Sequence, residues 1–220
     1  MSPRVLDLVN FMVLLCLSTA MHEYAHAWLA TRFGDDTPRN AGRLTFNPFV
    51  HLDPFFSVLL PAYVFWTTGG VMAAAWTPVN PFRMRNPRVH MPLTALGGPA
   101  MNFLLAVASF AVLAAFMVAQ GGYDPDGRGQ RLCMLALHMN LFLGMFNFLP
   151  VPPLDGGSLI PLFLPARLQG TFWRWKPYSM ILFVVLLVSG ALQAVLEPAN
   201  AFAHDLTRDA VYALDSVIRG

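Results

Sequence analysis

Charge is scarce in this chain. Asp, Glu, Lys and Arg make up 12% of its 220 residues, about half of the roughly 25% that soluble domains carry. With 56% hydrophobic residues and a mean hydropathy of +0.52, an ordinary soluble domain is excluded and a polytopic membrane protein is implied. The formal net charge is only +2 and no basic run occurs, so nucleic acid is not an expected partner. Cysteine is equally sparse. Cys16 and Cys133 both fall in apolar segments, where they read as small core residues rather than a disulfide or a metal site. The apolar run beginning near Val5 lacks a small-residue cleavage signal, so it reads as a retained helix and not a signal peptide. Neither an internal repeat nor a low-complexity tract is present.

What is present is a polar cluster in an unlikely setting. His22-Glu23-Tyr24-Ala25-His26 lies inside that first apolar run. On a helix, His22 and His26 project from one face and can hold one metal ion. Glu23 stands beside that face, suited to take a proton from water. In a soluble chain the pattern would mean little. At membrane depth two imidazoles and a carboxylate are costly unless partnered, and such residues are functional by default. The alternative is a helix end that lets its polar groups reach the interface.

The first helix is expected from Val5 to about Arg32, long enough to cross the bilayer. Gly34-Asp35-Asp36-Thr37-Pro38 ends it. Ala41–Phe46 favours a short strand at the membrane edge, stopped by Asn47-Pro48. Phe55–Trp66 and Val71–Trp76, around Gly69-Gly70, are each too short to span and together suggest a re-entrant hairpin. Pro92–Ala119, Leu132–Leu149 and Tyr178–Leu196 read as three further spans. From Pro198, Phe202, Leu206, Ala210, Ala213 and Val217 recur at helical spacing, as in an interfacial amphipathic helix. The expected fold is therefore an all-α polytopic membrane protein. It has about four full transmembrane helices, a re-entrant hairpin, a small β element and an amphipathic C-terminal helix, in one membrane-embedded domain over residues 1–220.

A catalytic zinc usually takes three protein ligands and keeps one position open. Asp155 is the remaining acid at membrane depth, between Pro150, Pro152 and Pro153 and the pair Gly156-Gly157. Prolines end the helix and glycines allow a sharp turn, so the carboxylate can be turned inward. Alone this would be an ordinary loop acid; with His22 and His26 it becomes the third ligand. The two sites face the same side only if Phe55–Trp66 does not cross. That side then holds Arg32, Arg39, Arg43, Arg83, Arg85, Arg88, Arg167, Arg174 and Lys176, against Arg4, Arg128, Arg131, Arg208 and Arg219 on the other. The basic excess puts the metal toward the cytoplasm.

These residues resemble the site-2 protease family of intramembrane zinc metalloproteases. The resemblance rests on His22 to Ala27, Gly98-Pro99-Ala100-Met101-Asn102, and Asn147 through Gly157. Gly42 to Pro48 with His51-Leu52-Asp53-Pro54 looks like the compact bacterial branch without PDZ or CBS domains. Phe55-Phe56 stand where that branch usually has a glycine. The resemblance implies one zinc ion per chain held by His22, His26 and Asp155, with Glu23 as catalytic base. It suggests Asn147 as an oxyanion donor, although a helix–helix hydrogen bond suits that amide nearly as well. It also implies a bacterial inner-membrane location and substrates that are transmembrane proteins. Such a substrate would be unwound for cleavage, with Leu44–Phe46 accepting it by strand addition. Asn102 is expected to tie helices together. His138 is expected to make an interhelical hydrogen bond rather than act as a fourth ligand. His51 and Asp53 suit either the cavity mouth or turn capping, and His90 the interface. A metal-ion or proton transporter using the same cluster is the competing function, although transporters spread ionisable groups over several spans.

Overall fold

Between Pro3 and Arg32 the chain holds neither a glycine nor a second proline, and the one proline occupies the first turn, where its missing N–H costs nothing. The result is an unbroken 30-residue helix, α1 (Pro3–Arg32), which ends where Gly34 takes φ +106°. The computed structural model describes residues 3–51, 58–68, 77–175 and 178–220. All regular structure among them is helical. After α1 come α2 (Thr37–Asn40), α3 (Pro48–His51), α4 (Leu60–Thr68), α5 (Pro87–Gln120), α6 (Arg128–Phe148), α7 (Ile160–Phe163), α8 (Ala166–Trp175), α9 (Ser179–Val188) and α10 (Ala191–Arg219).

Among the described residues, three helices are long and apolar enough to cross a membrane: Val5–Arg32, Pro87–Gln120 and Arg128–Phe148. α5 closes on Gly121, left-handed at φ +75°, whose N–H returns to the Met117 carbonyl, a helix end that favours glycine. α6 then runs antiparallel to α5. The core joins Phe11 and Leu15 of α1 to Met139, Phe142, Leu143 and Phe146 of α6. Farther from the α1 C-terminus, Leu113 and Met117 of α5 meet Leu137 of α6 and Val211 of α10.

Three expectations need correction. Residues 41–47 form turns and bends, and no described residue lies in a strand; Gly42 at φ +69° and Asn47-Pro48 leave too short a run to pair. The expected span Tyr178–Leu196 is not one helix. α9 stops after ten residues, and Gly190 at φ +75° turns the chain into α10. The C-terminal helix exists, but it starts at Ala191 and carries on through Pro198. Its packed stripe is Ala203, Thr207 and Val211, whereas Phe202, Leu206 and Val217 face outward. Position-by-position spacing could not separate these two faces, because the small residues that permit close packing are the less hydrophobic ones. Asn200 meets His138 midway along α6 and Asp215 accepts from the Tyr123 N–H before its start, so α10 lies antiparallel to α6. The expected hairpin falls partly on residues 52–57 and 69–76, outside the described residues. Its described helix α4 lies against α1, with Phe65 stacked on Phe11 at 4.2 Å between ring centroids.

Candidate metal centre

His22, Glu23 and His26 lie on the C-terminal half of α1 and are 5–8% exposed. Asp155 comes from the chain beyond the end of α6. After Phe148 the prolines end α6, Pro152–Pro153 is cis, and residues Asp155–Leu159 form a single 3-10 turn. The turn is tight enough to require its glycines. A Cβ on Gly156 would lie 2.3 Å from the Phe148 carbonyl oxygen, and one on Gly157 2.6 Å from Pro152 N. This brings Asp155 Oδ2 to 3.0 Å from His22 Nε2 and 3.3 Å from His26 Nε2. The two Nε2 atoms are 3.0 Å apart. These three residues, expected from sequence to share a metal, form the one cluster of that kind among the described residues.

The proton positions follow from a chain of acceptors. Asn140 Nδ2 faces the Ala136 carbonyl, which can only accept, and also the Ser18 hydroxyl. Asn140 therefore turns its Oδ1 to Asn102 Nδ2. That leaves Asn102 Oδ1 facing His22 Nδ1 at 2.5 Å, so Nδ1 carries the proton. His26 Nδ1 lies 2.7 Å from the Thr94 carbonyl and is likewise the protonated nitrogen. Both Nε2 atoms then point lone pairs at each other and at Asp155 Oδ2, a buried oxygen with no hydrogen-bond partner. Three converging acceptors with no proton between them repel unless a cation stands there, and two imidazoles with one carboxylate are a zinc donor set. The residues fit the ion.

α5 covers this cluster closely. A Cβ at Gly98 would lie 2.4 Å from His22 Nε2 and from His26 Nε2, so only glycine lets the helix lie there. Asn102 makes the expected tie between helices, to Asn140 on α6. Its bond to His22 was not foreseen; the Asn on the same α5 face as Gly98, one turn along, was the available signal.

Glu23 is met by Thr77, whose hydroxyl donates to Oε2 at 2.5 Å. Asn147 donates to the Leu143 carbonyl of its own helix at 3.0 Å, and among the described residues it makes no bond to the cluster or to another helix. His138 bonds across to Asn200 on α10 at 3.1 Å, as expected of an interhelical residue. His51 is 2% exposed and bonds the Thr45 carbonyl, closing a turn, while Asp53 lies outside the described residues. His90 accepts from the Asn86 N–H and stacks on Phe33 at 4.3 Å. Sequence reasoning missed Asp35, a fully buried acid that passed as an ordinary turn residue.

A profile of peptidase family M50 matches residues 10–122. "Putative zinc metalloprotease YwhC" of Bacillus subtilis is 35% identical over 97% of this chain and 94% of its own length. "Putative zinc metalloprotease Rip2" of Mycolicibacterium smegmatis is 28% identical over 86% of this chain and 68% of its own. "Putative zinc metalloprotease MJ0611" of Methanocaldococcus jannaschii is 30% identical over 38% of this chain. No solved structure matches.

Proposed function

The chain belongs to peptidase family M50, the site-2 protease family, and we propose that it is an intramembrane endopeptidase cutting peptide bonds in or near transmembrane segments of other membrane proteins. It is a multi-pass membrane metalloprotease whose cofactor is zinc. The family does not favour a metal-ion or proton transporter. In this reading His22, His26 and Asp155 hold the ion, which supplies Lewis acidity that makes water nucleophilic at neutral pH and polarises a carbonyl. The convergence of two lone-pair nitrogens on an unpartnered carboxylate oxygen is the observation that carries it.

Glu23 accepts the proton of the attacking water and returns it to the leaving amine. Asn102 and the Thr94 carbonyl keep the two imidazoles in the tautomer that ligation needs. Asn147 has a second N–H beyond the one donated to Leu143, and it serves the developing oxyanion. The site opens toward the cytoplasm of a bacterial inner membrane. Arg32, Arg39, Arg83, Arg85 and Arg88, all exposed near the C-terminal end of α1, support that orientation. A re-entrant course for the chain between His51 and Thr77 is supported at three points. Phe46 packs on Tyr24 before it, Phe65 reaches Phe11, and Thr77 is back at Glu23. Phe11 and Glu23 are separated by about 18 Å of helix.

Glu23→Gln in detergent, with a model transmembrane substrate, is expected to abolish cleavage while zinc remains bound. His22→Ala is expected to lose the zinc. Cleavage that survives Glu23→Gln would defeat the assignment.

A further inference from the structure

The segment after residue 76 is fastened to the end of α1 at two points. The Asn80 N–H donates to Asp35 Oδ2 at 2.6 Å, and the Arg85 N–H donates to the Phe33 carbonyl at 3.0 Å. Asp35 is 0% exposed. Its other oxygen accepts from the Thr37 N–H at 3.0 Å, and its own N–H returns to the Ala30 carbonyl. One buried carboxylate thus joins the turn that ends α1 to the incoming chain. Asn80 also accepts from the Phe82 N–H through its side chain, starting the Pro81–Arg83 turn, and Met84 behind it is buried.

The spacing determines what this clasp presents. From Asn80 back to Thr77 the chain takes three steps, covering about 10 Å when extended. From Ala30, which holds Asp35, back to Glu23 is also about 10 Å of helix. Thr77 therefore arrives beside Glu23, 7% exposed, and gives its hydroxyl to Oε2. Loop closure alone explains Asp35 and Asn80. It does not explain a hydroxyl aimed at a carboxylate, since an apolar residue would fill a buried position equally well.

We propose that Thr77 is a positioning residue for Glu23, and that Asp35, acting through Asn80, is the anchor that delivers it. This rests on Glu23 being the general base. The hydroxyl occupies one carboxylate oxygen and fixes the side-chain rotamer, leaving the second oxygen to receive the proton. A glutamate on an apolar helix face otherwise has no fixed direction, and misplacement by about 1 Å costs on the order of a hundred-fold in rate.

The test uses the full chain in detergent with a model transmembrane substrate, reading zinc content, KM and kcat separately. Thr77→Val keeps the shape and removes the donor. It is expected to keep full zinc and an unchanged KM while kcat falls roughly 10- to 100-fold. Thr77→Ser, which keeps the hydroxyl, is expected to recover kcat to within a few-fold. Asp35→Asn is expected to lower kcat in the same direction with zinc retained. A Thr77→Val protein with wild-type kcat, or one that loses zinc or changes only KM, overturns the proposal. So does a Thr77→Ser protein as impaired as Thr77→Val. If Glu23→Gln is itself active, the proposed function falls instead, and the two failures are told apart in one assay.

Discussion

Asn102 shows how much a single buried amide can decide. It has 0% exposure and stands between His22 and Asn140, so its orientation selects which imidazole nitrogen is free. Asn102→Leu keeps the volume and removes the acceptor. Zinc affinity is expected to drop about 10- to 100-fold, measured by competition with a chromogenic chelator. An unchanged affinity would mean that His22 needs no partner. At this scale the sequence was informative where chemistry is rare in its surroundings. His22, Glu23, His26 and Asp155 stand out because polar groups are costly in an apolar run. Asp35 and Thr77 do not, since an acid in a turn and a threonine near a proline are commonplace. Their importance comes from partners 45 and 54 positions away, which local pattern cannot reveal.

Among elements, α10 departs most from expectation. Its outward face carries Phe202, Leu206 and Val217, while Ala203 at 0% exposure belongs to the core cluster that includes Met139 and Phe142. Ala203→Leu is expected to overpack this seam by about 1–3 kcal/mol, lowering the melting temperature in detergent. Phe202→Leu on the outer face is expected to leave it nearly unchanged. Equal shifts would place the seam elsewhere. The long helices α1, α5 and α6 were legible because hydrophobic length is a strong signal. Segments near ten residues, such as α4 and α9, were not. Their apolar runs suit a strand, a half-span or a buried helix alike, and only packing chooses among them.

Taken as one molecule, the chain draws the three groups of the proposed metal site from two bodies. α1 carries two, and the turn beyond α6 carries the third, with Gly98 of α5 pressed over them. Metal-free, the three acceptors face one another without compensation. Chelation is therefore expected to lower the melting temperature by several degrees, reversed by added zinc. A site saturated at a thousand times its dissociation constant contributes about 4 kcal/mol. A protein whose melting ignores chelator and zinc alike would not hold the ion in this way. The metal reading was legible at this scale because the two ends had to meet. The clasp around Asp35 was not, because it depends on how a loop returns.

The distance in sequence between His26 and Asp155 has one more consequence. An ion joining them closes a loop of about 130 residues, and the chain entropy lost in that closure is large for a disordered polymer. A growing polypeptide offers only the imidazole pair until Asp155 has emerged and turned. With Asp155 as the proposed third ligand, tight capture of the ion would wait until the helices are packed, and a copy short of that stage would lack the full donor set.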